Sequence, residues 1–129
     1  MGRAKILLVE DDSNILAIAE LALSKVGKHE VVTAQDGVQT LAMVAKSKPD
    51  LILLDVMMPV MNGFDACLKL KANPETASIP VIFLTARAQA HEVQHGMSIG
   101  AIGYILKPFD PMTLHLKIEE ILKNHAAAA

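Results

Sequence analysis

Cysteine is nearly missing from this 129-residue chain, tryptophan is missing altogether, and aromatic residues make up only 3% of it. A single Cys67 cannot close an internal disulfide, which makes a reducing cytoplasm the expected compartment. Cys67 itself reads as a small core residue. Long apolar runs are lacking too: Leu51–Leu54 meets Asp55 at once, far short of the ~20 residues a membrane span needs. No secretory signal is expected, because the first strand-like run opens almost at Met1. The myristoylation pattern also fails, with Ile6 where Ser or Thr is needed. A formal charge of −2 provides no electrostatic footprint for nucleic acid.

What the chain does hold is hydrophobic residues, at 52%. With so few aromatics, that share fits a parallel α/β sheet covered on both faces, whose strands read as continuous Val/Ile/Leu runs. The length suits one domain with a full core. Such runs stand at Ile6–Val9, Val31–Thr33, Leu51–Leu54, Val81–Leu84 and Ile102–Ile105. Segments of helical spacing lie between them. Ile15, Ile18, Ala19, Ala22 and Val26 predict one buried face for the first helix. The second spans about Val38 to Ser47, buries Leu41, Val44 and Ala45, and stops before Pro49. A third runs from Gly63 to Ala72, ended by Asn73-Pro74, and a fourth covers Gln89 to Ser98, closed by Gly100. The fifth opens on Asp110-Pro111, cap and first-turn proline, and buries Leu114, Ile118, Ile121 and Leu122. Five successive βα units imply an open parallel sheet with helices on both sides.

Open sheets of this kind do their chemistry at the carboxyl ends of the strands. Strand one ends in Glu10-Asp11-Asp12, strand three in Asp55 and strand four in Thr85, and strand five runs into Lys107-Pro108. Taken singly, each has a bland reading: Asp12 or Ser13 as a helix cap, Thr85 as a strand end, Lys107 as a surface charge. Together they bring several carboxylates, one hydroxyl and one ammonium to one rim. Carboxylates within ~4–6 Å of one another repel unless a cation joins them. Open oxygen ligands suit Mg²⁺, which completes its shell with water and phosphate oxygens. A lysine beside them is a point charge for a further phosphate oxygen. The rim reads as a site for a phosphoryl group held by metal and lysine.

The segments ILLVEDD (Ile6–Asp12), DLILLDVMMPVMNGFD (Asp50–Asp65), PVIFLTARA (Pro80–Ala88) and GAIGYILKPF (Gly100–Phe109) resemble the receiver domains of response regulators, of the chemotaxis-regulator type. They stand in the family's order and spacing over essentially the whole chain. The resemblance implies a flavodoxin-like (βα)5 sandwich with sheet order 2-1-3-4-5, over residues 1–125, with 126–129 a low-complexity alanine tail. It implies Asp55 as phosphoacceptor and Glu10 and Asp11 as the acidic pair. Mg²⁺ would be held by Asp11, by Glu10 through water, by Asp55 and by the Met57 carbonyl. Thr85 matches the switch hydroxyl that binds phosphate, Lys107 the phosphate-binding lysine, and Tyr104 the aromatic that changes rotamer. Pro108 implies a cis peptide after Lys107. Met57 and Arg87 stand where the family tunes dephosphorylation.

The implied activity is a phosphorelay switch: a histidine kinase or phosphotransfer protein modifies Asp55, and the surface of the fourth helix, fifth strand and fifth helix changes for a downstream partner. Substrate turnover, nucleic-acid binding and membrane association are not expected. Three rivals come from other classes. His91-Glu92-Val93-Gln94-His95 fits the H-E-x-x-H zinc-hydrolase pattern, with Glu119 or Glu120 as a third ligand. A haloacid-dehalogenase-type phosphatase needs a second aspartate where Met57 stands. A flavin binder would want a Ser/Thr-rich loop after the first strand, which is lacking.

Overall fold

The computed structural model describes residues 2–86 and 89–128. Five parallel strands, β1 (Lys5–Val9), β2 (Glu30–Ala34), β3 (Leu51–Asp55), β4 (Val81–Thr85) and β5 (Gly103–Leu106), form one sheet in the order β2-β1-β3-β4-β5. The helices between and after them are α1 (Ser13–Leu21), α2 (Gly37–Ser47), α3 (Gly63–Ala72), α4 (Ala90–Ser98) and α5 (Leu114–Ala128). A π-helical turn, Ala22–Val26, continues α1.

The strand alternation of two sorts the aliphatic side chains onto two faces. Ile6, Leu8, Leu51, Leu53, Ile82 and Leu84 point one way, against Ala19 and Leu23 and against Leu114 and Ile118 of α5. Leu7, Val9, Ile52, Leu54, Val81 and Phe83 point the other way, against Val44 of α2 and Ala66, Cys67 and Leu70 of α3. All five residues of β3 are buried, as are all five of β4. Each fully buried Leu or Ile contributes roughly 1.5–3 kcal/mol, so the central strands anchor the site residues at their ends.

Side-chain caps set where the helices begin. Asp12 Oδ1 accepts the amides of Asn14 (2.9 Å) and Ile15 (3.2 Å), Asp36 accepts that of Gln39, and Asn62 accepts that of Asp65. Lys48 closes α2 in the left-handed region, φ 49°, before Pro49.

Three expectations need correction. Ile18 is 48% exposed and Ala45 is exposed, while Leu23 is fully buried. Ile18 stands one residue from the buried Ala19 and Ala45 one residue from the buried Val44, about 100° round the helix, so each lies on the flank of its stripe rather than in it. Asp110-Pro111 opens a turn rather than the helix. Asp110 accepts the Met112 and Thr113 amides, and α5 starts at Leu114. The chain stays helical through the alanines to Ala128.

Candidate functional site

Parallel pairing carries the expected residues to one edge. Val9 pairs with Leu54 and Asp55 with Leu84, so Glu10 and Asp11 leave β1 beside the end of β3. Thr85 lies one residue beyond Leu84 and pairs with Leu106, after which the chain reaches Lys107. Glu10, Asp11 and Asp55 offer ligand oxygens within 4.8 Å of one another, the one such convergence of three metal-ligating side chains among the described residues. Glu10 and Asp55 are buried and Asp11 is exposed. Lys107 Nζ lies 2.7 Å from Glu10 Oε1 and 3.3 Å from Asp55 Oδ1. The Lys107–Pro108 peptide is cis.

The charges do not balance. Three carboxylates, two of them buried, face one ammonium, leaving two formal negative charges uncancelled. Burial pushes the Asp55 carboxyl up to about 8, helped by its hydrogen bonds with Glu10 and Asp11 and by the Glu10 charge, against the pull of Lys107. Burial works the same way on Asp11. Its hydrogen bonds with Asp55 and Glu10, with the Lys107 charge, outweigh that and hold it below the usual carboxylate range. Burial would lower the Lys107 amine, but its bonds and charges with Glu10 and Asp55 raise it. Asp55 Oδ1 also takes the Met57 amide at 3.3 Å, whereas its Oδ2 is buried with no hydrogen-bond partner. An orphaned buried acceptor beside two other carboxylates is the donor set a hard divalent cation fits.

The loop after Asp55 is shaped by a residue that the motif contained but the sequence reading did not single out. Gly63, the first residue of α3, donates its amide to Val56 O at 2.8 Å. A Cβ there would lie 2.2 Å from the Asp55 carbonyl oxygen, so only glycine lets α3 sit on the end of β3. In the same loop Val60 takes φ 68° with its side chain 99% exposed, a strained setting for a β-branched residue.

The other candidates fall into two groups. Thr85 is buried at the end of β4, and Tyr104, paired in register with Phe83, is 39% exposed. Met57 is 66% exposed, and Arg87 lies outside the described residues. The H-E-x-x-H residues sit on α4 without converging. His91 is exposed, with Nε2 4.0 Å from Glu92, and the His95 ring packs edge-on to Phe64 at 4.8 Å. Glu119 is occupied elsewhere, holding His115 at 2.8 Å and His29 at 3.1 Å. No helix among the described residues is long and apolar enough to cross a membrane.

Residues 6–119 match the family model described as the response regulator receiver domain. The chain belongs to that family. The receiver is 38% identical to "Probable transcriptional regulator ycf27" of Cyanophora paradoxa, over 96% of this chain and 50% of that protein. It is 34% identical to "Alkaline phosphatase synthesis transcriptional regulatory protein PhoP" of Bacillus subtilis, over 97% of this chain and 51% of that protein. The chain thus spans about half the length of the curated relatives it matches. Among solved structures, the chemotaxis response regulator CheY4 of Vibrio cholerae superposes with a TM-score of 0.85 at 34% identity, covering 93% of this chain and 99% of that one. The receiver is therefore a two-component signalling switch, and nothing supports the zinc-hydrolase alternative.

Proposed function

We propose that this receiver accepts a phosphoryl group on Asp55 from a histidine kinase or phosphotransfer protein, and relays it by altering the surface of α4, β5 and α5 for a downstream partner. The observation that carries the reading is the buried, unpartnered Oδ2 of Asp55 beside Glu10, Asp11 and Lys107. Mg²⁺ fits the two uncancelled charges and would be held by Asp11, Asp55 and the Met57 carbonyl, and by Glu10 through water. When bound it supplies the charge that favours ionised Asp55 and offsets the phosphoryl oxygens.

The protein's own part is position and charge rather than proton transfer. An Asp55 carboxylate oxygen forms the new P–O bond as the donor's P–N bond breaks, and the donor imidazole leaves with the bonding pair. Lys107 holds one phosphoryl oxygen as a charged donor and the Thr85 hydroxyl donates to another. Thr85 moves towards the phosphoryl group, which frees room for Tyr104 to turn inward, a two-state element biased by a local charge. With Met57 where a phosphatase carries its second aspartate, Asp55 keeps its phosphoryl group rather than turning substrates over. Met57 and Arg87 occupy the two sequence positions at which the family tunes dephosphorylation, and a thioether cannot orient the hydrolytic water. This reading has the receiver, residues 1–125, at work in the cytoplasm without binding nucleic acid or membrane.

The test is intact mass after incubation with acetyl phosphate and Mg²⁺. Wild type gains one phosphoryl group and Asp55→Asn gains none; undiminished labelling of that variant would overturn the assignment.

A further inference from the structure

A narrow crevice, with room for little more than a water molecule, lies beneath Tyr104 between α4 and the ends of β4 and β5. Its walls are mostly apolar, with Phe83, Val93 and Met97 among them, and Thr85 also lines it. Among the described residues, Glu92 is the one carboxylate that does so. Its side chain is only 26% exposed, and among the described residues its ion-pair neighbour is His91, whose Nε2 lies 4.0 Å away on a ring that is 76% exposed. An acid in the first turn of a helix favours the helix dipole wherever it points. What sets Glu92 apart is that its side chain forms part of this wall.

A phenol that turns from water into this crevice, as the movement of Thr85 widens it, must keep its hydroxyl hydrogen-bonded, because an unsatisfied buried donor is costly. Among the described residues, the lining side chains other than Tyr104 itself offer two oxygen acceptors, the Thr85 hydroxyl and the Glu92 carboxylate. In the modified state the Thr85 hydroxyl is engaged with the phosphoryl group. We infer that Glu92 is a positioning residue that accepts the Tyr104 hydroxyl when the ring turns inward, latching the activated state. This rests on the Tyr104 switch proposed above.

The chain makes the test clean, because Tyr104 is its only tyrosine and it has no tryptophan. Intrinsic fluorescence and tyrosine ring resonances therefore report Tyr104 alone. The full chain is compared with and without Mg²⁺ and beryllofluoride, whose binding is followed by fluorine resonance. Wild type shows a changed Tyr104 signal on binding. Glu92→Ala binds beryllofluoride equally, yet its inward-to-outward ratio falls on the order of tenfold, as loss of a bond to a charged acceptor implies. Glu92→Gln, which still presents an acceptor oxygen, retains most of the change. A Glu92→Ala response equal to wild type overturns the latch and leaves the switch standing. So does a Glu92→Gln response no better than that of Glu92→Ala. A wild-type Tyr104 signal unmoved by bound beryllofluoride overturns the switch and the latch together.

Discussion

Gly63→Ala isolates the contact that shapes the acceptor loop. The added Cβ would meet the Asp55 carbonyl oxygen at 2.2 Å and Val56 Cα at 2.9 Å, where ordinary contact begins at 3.4 Å. Both neighbours are backbone at the end of a fully buried strand, so neither can turn aside as a side chain could. Relief requires α3 and the end of β3 to part by about 1 Å, which breaks the 2.8 Å Gly63 N–H to Val56 O bond. Overpacking of about 1–3 kcal/mol, with a lost hydrogen bond of about 1 kcal/mol, gives a destabilisation of about 2–4 kcal/mol. A domain of this size holds about 5–15 kcal/mol, so the variant folds, with its urea midpoint lowered by about 1–2 M. Displacing the reacting carboxylate by about 1 Å slows labelling by acetyl phosphate by ten- to a hundredfold. Gly100→Ala is the control. Its φ of 115° imposes comparable backbone strain, but the Cβ would meet the flexible Lys71 side chain at 3.0 Å, away from Asp55. It should lower the midpoint and leave labelling unchanged. Wild-type stability and rate in Gly63→Ala would refute the packing argument, and an equal rate loss in both variants would trace it to general destabilisation.

Magnesium should raise the melting temperature of wild type, by about 1.4 kcal/mol of stabilisation at ten times its dissociation constant, and not that of Asp11→Asn. A scanning-fluorimetry titration with an external dye reads this, and equal shifts in both would remove Asp11 from the ligand set. Val60→Asn should stabilise by about 1 kcal/mol, because asparagine tolerates the left-handed backbone that a β-branched residue resists; an unchanged or lower denaturation midpoint counts against strain there. Burial would raise the Glu119 carboxyl, but hydrogen bonds from His115 and His29 outweigh it and hold it below its ordinary value of 4.5. Its contribution is thus present above that value and lost as pH falls through the lower, folded value. Glu119→Gln should flatten this acid limb in urea titrations across pH 3 to 5, and a limb of unchanged slope would refute the assignment.

The site was legible because it depends on strand ends. Once Leu51–Leu54 and Val81–Leu84 are read as strands of a parallel sheet, Asp55 and Thr85 must emerge at one edge, whatever the helices do. The details of helix faces were less legible. Ile18 and Ala45 are apolar, yet each stands about 100° of helical turn from a buried neighbour, Ala19 or Val44, and an apolar residue on a stripe's flank looks in the sequence like one within it. The Lys107–Glu10 pair joins residues 97 positions apart and leaves no local pattern. Gly63 stood in plain view inside a quoted motif. Only the distance to the Asp55 carbonyl separates a glycine needed for clearance from one that merely begins a helix.

Lys107 is already committed before any donor arrives, its ammonium bridging Glu10 and Asp55. A lysine waiting in solvent would have to shed water and freeze a long chain at the moment of reaction. Here its side chain is already 84% shielded, since only 16% of it is exposed, and tethered by two acidic neighbours. In the proposed transfer the incoming group would therefore trade one anionic companion of Lys107 for another, and little of the protein's polar framework would have to rearrange as the bond forms.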